Sequence, residues 1–139
     1  MSAIDSARAQ HAELLALASQ VSAALGSGPH DPVSSVHDAL LRLTGRLAVH
    51  LAAEDDRIYP ILRRHPDPRV RSVAERFSRE LGGLASAVED YKAEWRAVRG
   101  LEQLPAPFVH RTRLILAALE QRIRQEAEEL YALFGEAEG

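Results

Sequence analysis

Two short patterns place side chains capable of metal or acid–base chemistry one helical turn apart: His50 and Glu54 in HLAAE, and Arg122 and Glu126 in RIRQE. Four residues are about 40° more than a full turn and about 6 Å along a helix axis, so each pair leaves one face toward a common point. An imidazole nitrogen and a carboxylate oxygen converging in this way suit a divalent cation with nitrogen and oxygen preferences. His11 adds an imidazole one turn before an apolar run. The ordinary alternative is an exposed i,i+4 pair, which contributes only about 0.2–0.5 kcal/mol. Burial separates the two, because charge on the inward face of a bundle is costly unless it is paired or bound to metal.

The elements that carry these residues are helices. Ala, Leu, Glu, Arg and Gln dominate, and no useful stretch alternates β-branched or aromatic residues with polar ones. Breaks fall at residues 26–32 (GSGPHDP), from Pro60 through the HPDP of residues 65–68, and at residues 99–107 (RGLEQLPAP). The first helix is expected from about Asp5 as N-cap to Leu25, closed by Gly26 and Gly28, with Leu14, Leu17, Val21 and Leu25 inward. The second starts at Asp31 with Pro32 in its first turn, or at Ser34 or Ser35. Its stripe is Val36, Leu40, Leu43, Leu47, His50, Leu51, Glu54 and Ile58, and Pro60 should kink or end it.

The third is capped by Asp67, with Pro68 next, and runs to about Arg99 with Val70, Val73, Phe77, Leu81, Leu84, Val88, Tyr91 and Trp95 inward. The fourth runs from about Pro107 to Phe134. Its inward stripe is Val109 or Phe108, then Thr112, Ile115, Leu119, Arg122, Ile123, Glu126, Leu130 and Leu133. Four helices with short connections predict an all-α, antiparallel up-down-up-down bundle in one domain spanning residues 1–139. Residues 50–61 laid over residues 122–133 match Glu54 to Glu126 and Tyr59 to Tyr131, with Leu47 on Leu119 and Leu51 on Ile123, a weak repeat of two helical hairpins.

Composition narrows the function. The net charge of -3 is the difference between 20 acidic and 17 basic residues, and no basic stripe is present to neutralise phosphates, which argues against a nucleic-acid partner. No run of eighteen apolar residues or signal-like leader occurs, so the expectation is no membrane and a cytoplasmic location. With no cysteine, a metal must use nitrogen and oxygen ligands. No activated Ser, phosphate-binding glycine loop or general acid–base pair can be named outside the His/Glu cluster, so no enzymatic reaction is assigned.

The sequence resembles the hemerythrin-like, or HHE cation-binding, family over nearly its whole length. LAVHLAAEDDRIYPIL is close to the family's second-helix signature, His-xxx-Glu followed by an acidic residue and a Leu/Ile-Tyr-Pro end, while QHAELLALASQV, VAERFSRELGGLASAVEDY and LEQRIRQEAEELYALF take the places of the other helices. The resemblance implies a four-helix bundle and a di-iron ligand set of one His on the first helix, His-xxx-Glu on the second, one His on the third and His-xxx-Glu on the fourth. His11, His50, Glu54 and Glu126 keep that pattern. Leu81 stands where the third helix should give its histidine, and Arg122 where the fourth should give its own.

One iron's nitrogen ligands are thereby lost and the other iron's set is kept. Two readings follow. In the first, one iron or other divalent ion sits among His11, His50, Glu54 and Glu126. The Arg122 guanidinium then replaces the missing ion, bidentate on Glu54 or Glu126, in a role of oxygen, nitric oxide or redox sensing, or metal handling. A small diatomic molecule is its expected ligand. In the second, the site holds no metal, Arg122 neutralises Glu54 and Glu126 in a core network, and the bundle works through a protein partner or self-association. Gly82 and Gly83, mid-helix beside Leu81, either leave room for a ligand or mark close packing or a helical irregularity. His30 and His65 are expected to be solvated, and His37 and His110 to lie on the surface.

Overall fold

The computed structural model describes residues 2–26 and 33–139, and Gly28, His30, Asp31 and Pro32 lie outside the described residues. Four helical arms and no strand occur among the described residues. The first arm is α1 (Ala3–Gly26). The second is α2 (Val33–Ala53), a π-helical turn (Glu54–Ile58) and α3 (Tyr59–Leu62). The third is α4 (Pro68–Leu81) followed by α5 (Leu84–Val98), and the fourth is α6 (Ala106–Gln125), a second π-helical turn (Glu126–Tyr131) and α7 (Ala132–Glu138). None of these helices is long and apolar enough to cross a membrane.

Two apolar clusters fill the bundle, and the order in which each arm visits them gives the topology. The first arm passes from Ile4 and Ala7 in one cluster to Leu14, Ala18 and Val21 in the other. The second starts with Val36, Leu40 and Leu43 and ends with Ile58, Tyr59 and Leu62 back in the first. The third repeats the direction of the first, from Val70 and Phe77 to Val88 and Trp95, and the fourth returns from Phe108 and Leu119 to Leu130 and Tyr131. Successive arms are therefore antiparallel, and all eight residues of the expected second stripe are buried.

Several local expectations are corrected. The cap of α1 is Ser2, not Asp5. Ser2 Oγ accepts the Asp5 backbone N–H and Asp5 Oδ2 accepts that of Ser2, a reciprocal pair that satisfies two otherwise free donors. The second arm has begun by Val33, with Ser34 and Ser35 already inside it, and it continues past Pro60 to Leu62. In the π turn the Tyr59 N–H reaches the Glu54 carbonyl five residues back, so the donor that Pro60 lacks falls where the ladder has already shifted.

The third arm is broken, not continuous. Gly82 and Gly83 take ψ of -10° and -7°, and the helix restarts at Leu84. A Cβ at Gly82 would collide with the Ser78 carbonyl oxygen, whereas one at Gly83 meets open space. The glycines thus mark an irregularity, and Ala74 is buried where Val73 is only partly so. In the fourth arm Phe108, not Val109, points inward, and Leu116 is buried while Ile115 packs at the margin. Asp67 caps α4 as expected, accepting the Arg69 N–H at 2.8 Å.

Candidate metal centre

Between the two apolar clusters lies a polar layer. His11 comes from α1, His50 from the last turn of α2, Glu54 opens the first π turn, Arg122 ends α6 and Glu126 opens the second π turn. None of the five is more than 5% exposed. Both carboxylates head a π turn, and such turns place a side chain that a regular helix would carry elsewhere. The internal repeat is thereby realised as geometry, since Tyr59 and Tyr131 each follow the glutamate of their own arm by five residues and donate to the glutamate of the other. Tyr59 Oη bonds Glu126 Oε2 at 2.6 Å and Tyr131 Oη bonds Glu54 Oε2 at 2.5 Å.

One ligand atom from each of His11, His50, Glu54 and Glu126 can be chosen so that all lie within 4.8 Å of one another. His11 Nε2 is 3.1 Å from Glu126 Oε1 and 3.5 Å from Glu54 Oε2, and His50 Nε2 is 3.1 Å from Glu54 Oε1. Two ligands on one ion with bonds of about 2.0–2.2 Å stand roughly 3 to 4 Å apart, so the spacing fits a shared cation. The state of His50 sharpens this. Its Nδ1 is 2.7 Å from Gln10 Oε1, an acceptor, so Nδ1 carries the hydrogen. Nε2 is thereby aimed at Glu54 Oε1, 3.1 Å away, and is buried with no hydrogen-bond partner. An imidazole nitrogen and a carboxylate oxygen at this spacing with no hydrogen bond between them suit a shared cation.

Arg122 fills the other half of the layer. Nε donates to Glu126 Oε2 at 3.1 Å, and Nη2 donates to Glu54 Oε1 at 3.1 Å and to Asp55 Oδ1 at 2.8 Å. Nη1 donates to the Leu81 carbonyl at 3.2 Å, an acceptor that an unbroken third helix would have given to residue 85. The guanidinium carbon is 5.5 Å from the Tyr59 ring centroid. Arg122 is therefore not bidentate on one glutamate. It bridges both, because a planar fork with donors on three nitrogens spans the two π turns. Leu81 meets it through the main chain, with its side chain partly buried against the cluster of Phe77 and Tyr131.

Sequence reasoning overlooked Gln10, Asp55 and the two tyrosines as members of the layer. The tyrosines were signalled by their equivalent places in the repeat, and Asp55 by its position beside Glu54, while Gln10 left no signal beyond adjacency to His11. Two other histidines are not where they were expected. His65 is buried, not solvated, with Nε2 2.6 Å from Glu138 Oε1 and Nδ1 accepting the Asp67 N–H, which ties the turn after α3 to α7. His37 is half-buried and stacks on Trp95, whose Nε1–H it accepts at 2.6 Å. His110 is exposed.

The layer's charges are coupled. Burial opposes an imidazolium at His11, but hydrogen bonds to Glu126 and Glu54 outweigh it and push His11 up to about 9. Burial likewise opposes the Glu54 anion, yet the neighbouring imidazoles of His11 and His50 hold it well below the usual range. Glu126 is raised by its own burial and by the neighbouring Glu54 charge. Burial and the adjacent carboxylates push both phenols upward, so Tyr59 and Tyr131 remain donors.

A pH dependence follows for the metal-free protein. The His11 contribution is fully present below the imidazole's unfolded value of 6.5 and is lost as pH rises through about 9. The urea midpoint of chelator-treated protein should fall between those values. His11→Gln should flatten the curve, and equal slopes for the two proteins would reject the ion pairing.

A family model described as Hemerythrin HHE cation binding domain matches residues 2–134, nearly the whole chain. No match was found among the curated proteins or the solved structures.

Proposed function

The chain belongs to the hemerythrin HHE cation-binding domain family, and from that premise we propose that its polar layer is a mononuclear metal centre. One divalent cation, iron by family habit, is held by His11, His50, Glu54 and Glu126, and Arg122 supplies the charge of a second ion. The observation that supports this most directly is the buried, unpartnered His50 Nε2 beside Glu54 Oε1, with the ring oriented by Gln10. Carboxylate oxygens and neutral imidazole are ligands that iron accepts.

When bound, iron would supply a redox-active centre able to take a small diatomic ligand. The chain's own residues do the rest. Gln10 orients His50, Tyr59 and Tyr131 fix one oxygen on each glutamate, and the apolar clusters on either side exclude water. Sensing of oxygen, nitric oxide or redox state, or metal handling, suits such a centre better than dioxygen carriage, which needs a pair of irons. Metal analysis of protein purified from iron-fed cells tests the reading. About one iron per chain, with an ultraviolet charge-transfer band, is expected; none, or two, would reject it.

One observation favours a second reading. Arg122 and protonated His11 already balance Glu54 and Glu126 without any metal. On this reading the layer is a structural ion-pair network, and the bundle serves a protein partner or a second copy of itself. An empty site whose thermal stability ignores both chelator and added iron would favour it.

Gln10 separates the two as well. Residues that hydrogen-bond a ligating histidine typically account for about 10–100-fold in metal affinity. Gln10→Ala should weaken metal binding by that order, read by competition with a chromophoric chelator, and should cost the metal-free protein about 1–3 kcal/mol, because the His50 Nδ1–H loses its acceptor. Unchanged affinity would remove Gln10 from the centre.

A further inference from the structure

The break in the third arm opens a cleft of about 290 Å³ between that arm and α6, at the level of the polar layer. Leu81, Gly83, Leu84, Ile115 and Ala118 form its walls, and Arg122 lines it as well. Glu80 and Gln121, both exposed, add polar groups to its lining. At about 30 Å³ per water molecule, this volume has room for a compound of roughly six to nine heavy atoms.

Two features say what such a compound is. A guanidinium has five N–H donors, and the layer accounts for four of them, one each to Glu126, Glu54, Asp55 and the Leu81 carbonyl. The fifth, on Nη1, has no acceptor among the described residues, although the side chain is only 2% exposed. A buried donor left unmet is costly, so an incoming acceptor is favoured. An anion is not, because three carboxylates already surround the guanidinium and Glu80 adds a fourth negative charge beside the cleft.

We propose that this cleft binds a small uncharged organic molecule, apolar over most of its surface and carrying one hydrogen-bond acceptor that meets the free Nη1–H of Arg122. The inference is independent of the metal reading, because it uses no ligand of the cation site. It is therefore tested on full-length, chelator-treated protein, where a failure says nothing about metal binding.

The probe is cyclopentanone, followed by amide chemical shifts. Saturable shifts are expected at Gly83, Leu84, Ala87 and Ala118 and at the Arg122 Nε–H, with millimolar affinity. Cyclopentane, which lacks the acceptor, should bind about three- to tenfold more weakly, and cyclopentanecarboxylate no better than cyclopentane. Gly83→Leu fills the cleft without backbone strain, since φ is -79° there and a Cβ meets open space. It should weaken binding at least about tenfold, and Ala118→Leu, from the opposite wall, should do the same if the first variant folds poorly. Non-saturating shifts, shifts spread over the molecule, or unchanged affinity in the folded variants would overturn the site. Tighter binding of the carboxylate would overturn the choice of an uncharged ligand.

Discussion

Arg122→Met should destabilise the metal-free protein by about 3–5 kcal/mol, the cost of leaving buried charge without its partner. The side chain is 2% exposed and is bonded to Glu54, Asp55, Glu126 and the Leu81 carbonyl, so its loss strands two fully buried carboxylates. Methionine keeps much of the volume and removes the charge. Urea unfolding at neutral pH reads the effect. Pairing the change with Glu126→Gln should recover part of the loss, because one of the stranded carboxylates disappears with its cation. Added divalent metal should recover part of it by binding only the folded state. A loss below about 1 kcal/mol, in the range of an exposed ion pair, would mean that the guanidinium does not neutralise the layer. Arg122→Lys should not restore wild-type stability, since an ammonium on a flexible stem cannot serve four acceptors spread over three arms.

The same residue shows how far the amino-acid sequence can be read. Its period alone put His50, Glu54, Arg122 and Glu126 on inward faces, because charge at stripe positions is conspicuous among leucines; all four are buried. The direction of the arms followed from loop length and was equally legible. What periodicity could not convey was local departure from the regular helix. The π turns at Glu54 and Glu126 add a residue to a turn, and this changes which groups the two tyrosines face. The break at Gly82–Gly83 frees a main-chain carbonyl for Arg122, a contact that no side-chain pattern encodes. A place in a predicted loop beside prolines made solvation the expectation for His65, yet it is sheltered by the turn before α4 and by α7. A loop residue's burial depends on contacts distant in sequence, here with Glu138 and Phe134.

Leu81→His together with Arg122→His should raise the metal content from one ion per chain to two, measured by elemental analysis after loading under anaerobic conditions. Removing the guanidinium takes one donor from Glu54 Oε1 and one from Glu126 Oε2, which keeps its bond from Tyr59, and so leaves both carboxylates with charge that could serve a second ion. The side chain at position 81 lines the same cleft as Arg122, so an imidazole there enters the space that the arginine leaves. Arg122→His alone provides one nitrogen and both carboxylate oxygens, and should give intermediate occupancy. Leu81→His alone should give none beyond the first ion, because the fixed positive charge remains and repels a second cation. That asymmetry is the informative part of the experiment. If the guanidinium stands in for a metal, its removal must precede any gain. If Leu81→His alone admits a second ion, Arg122 does not occupy a metal position and the arginine is a structural strut whose charge matters only for stability.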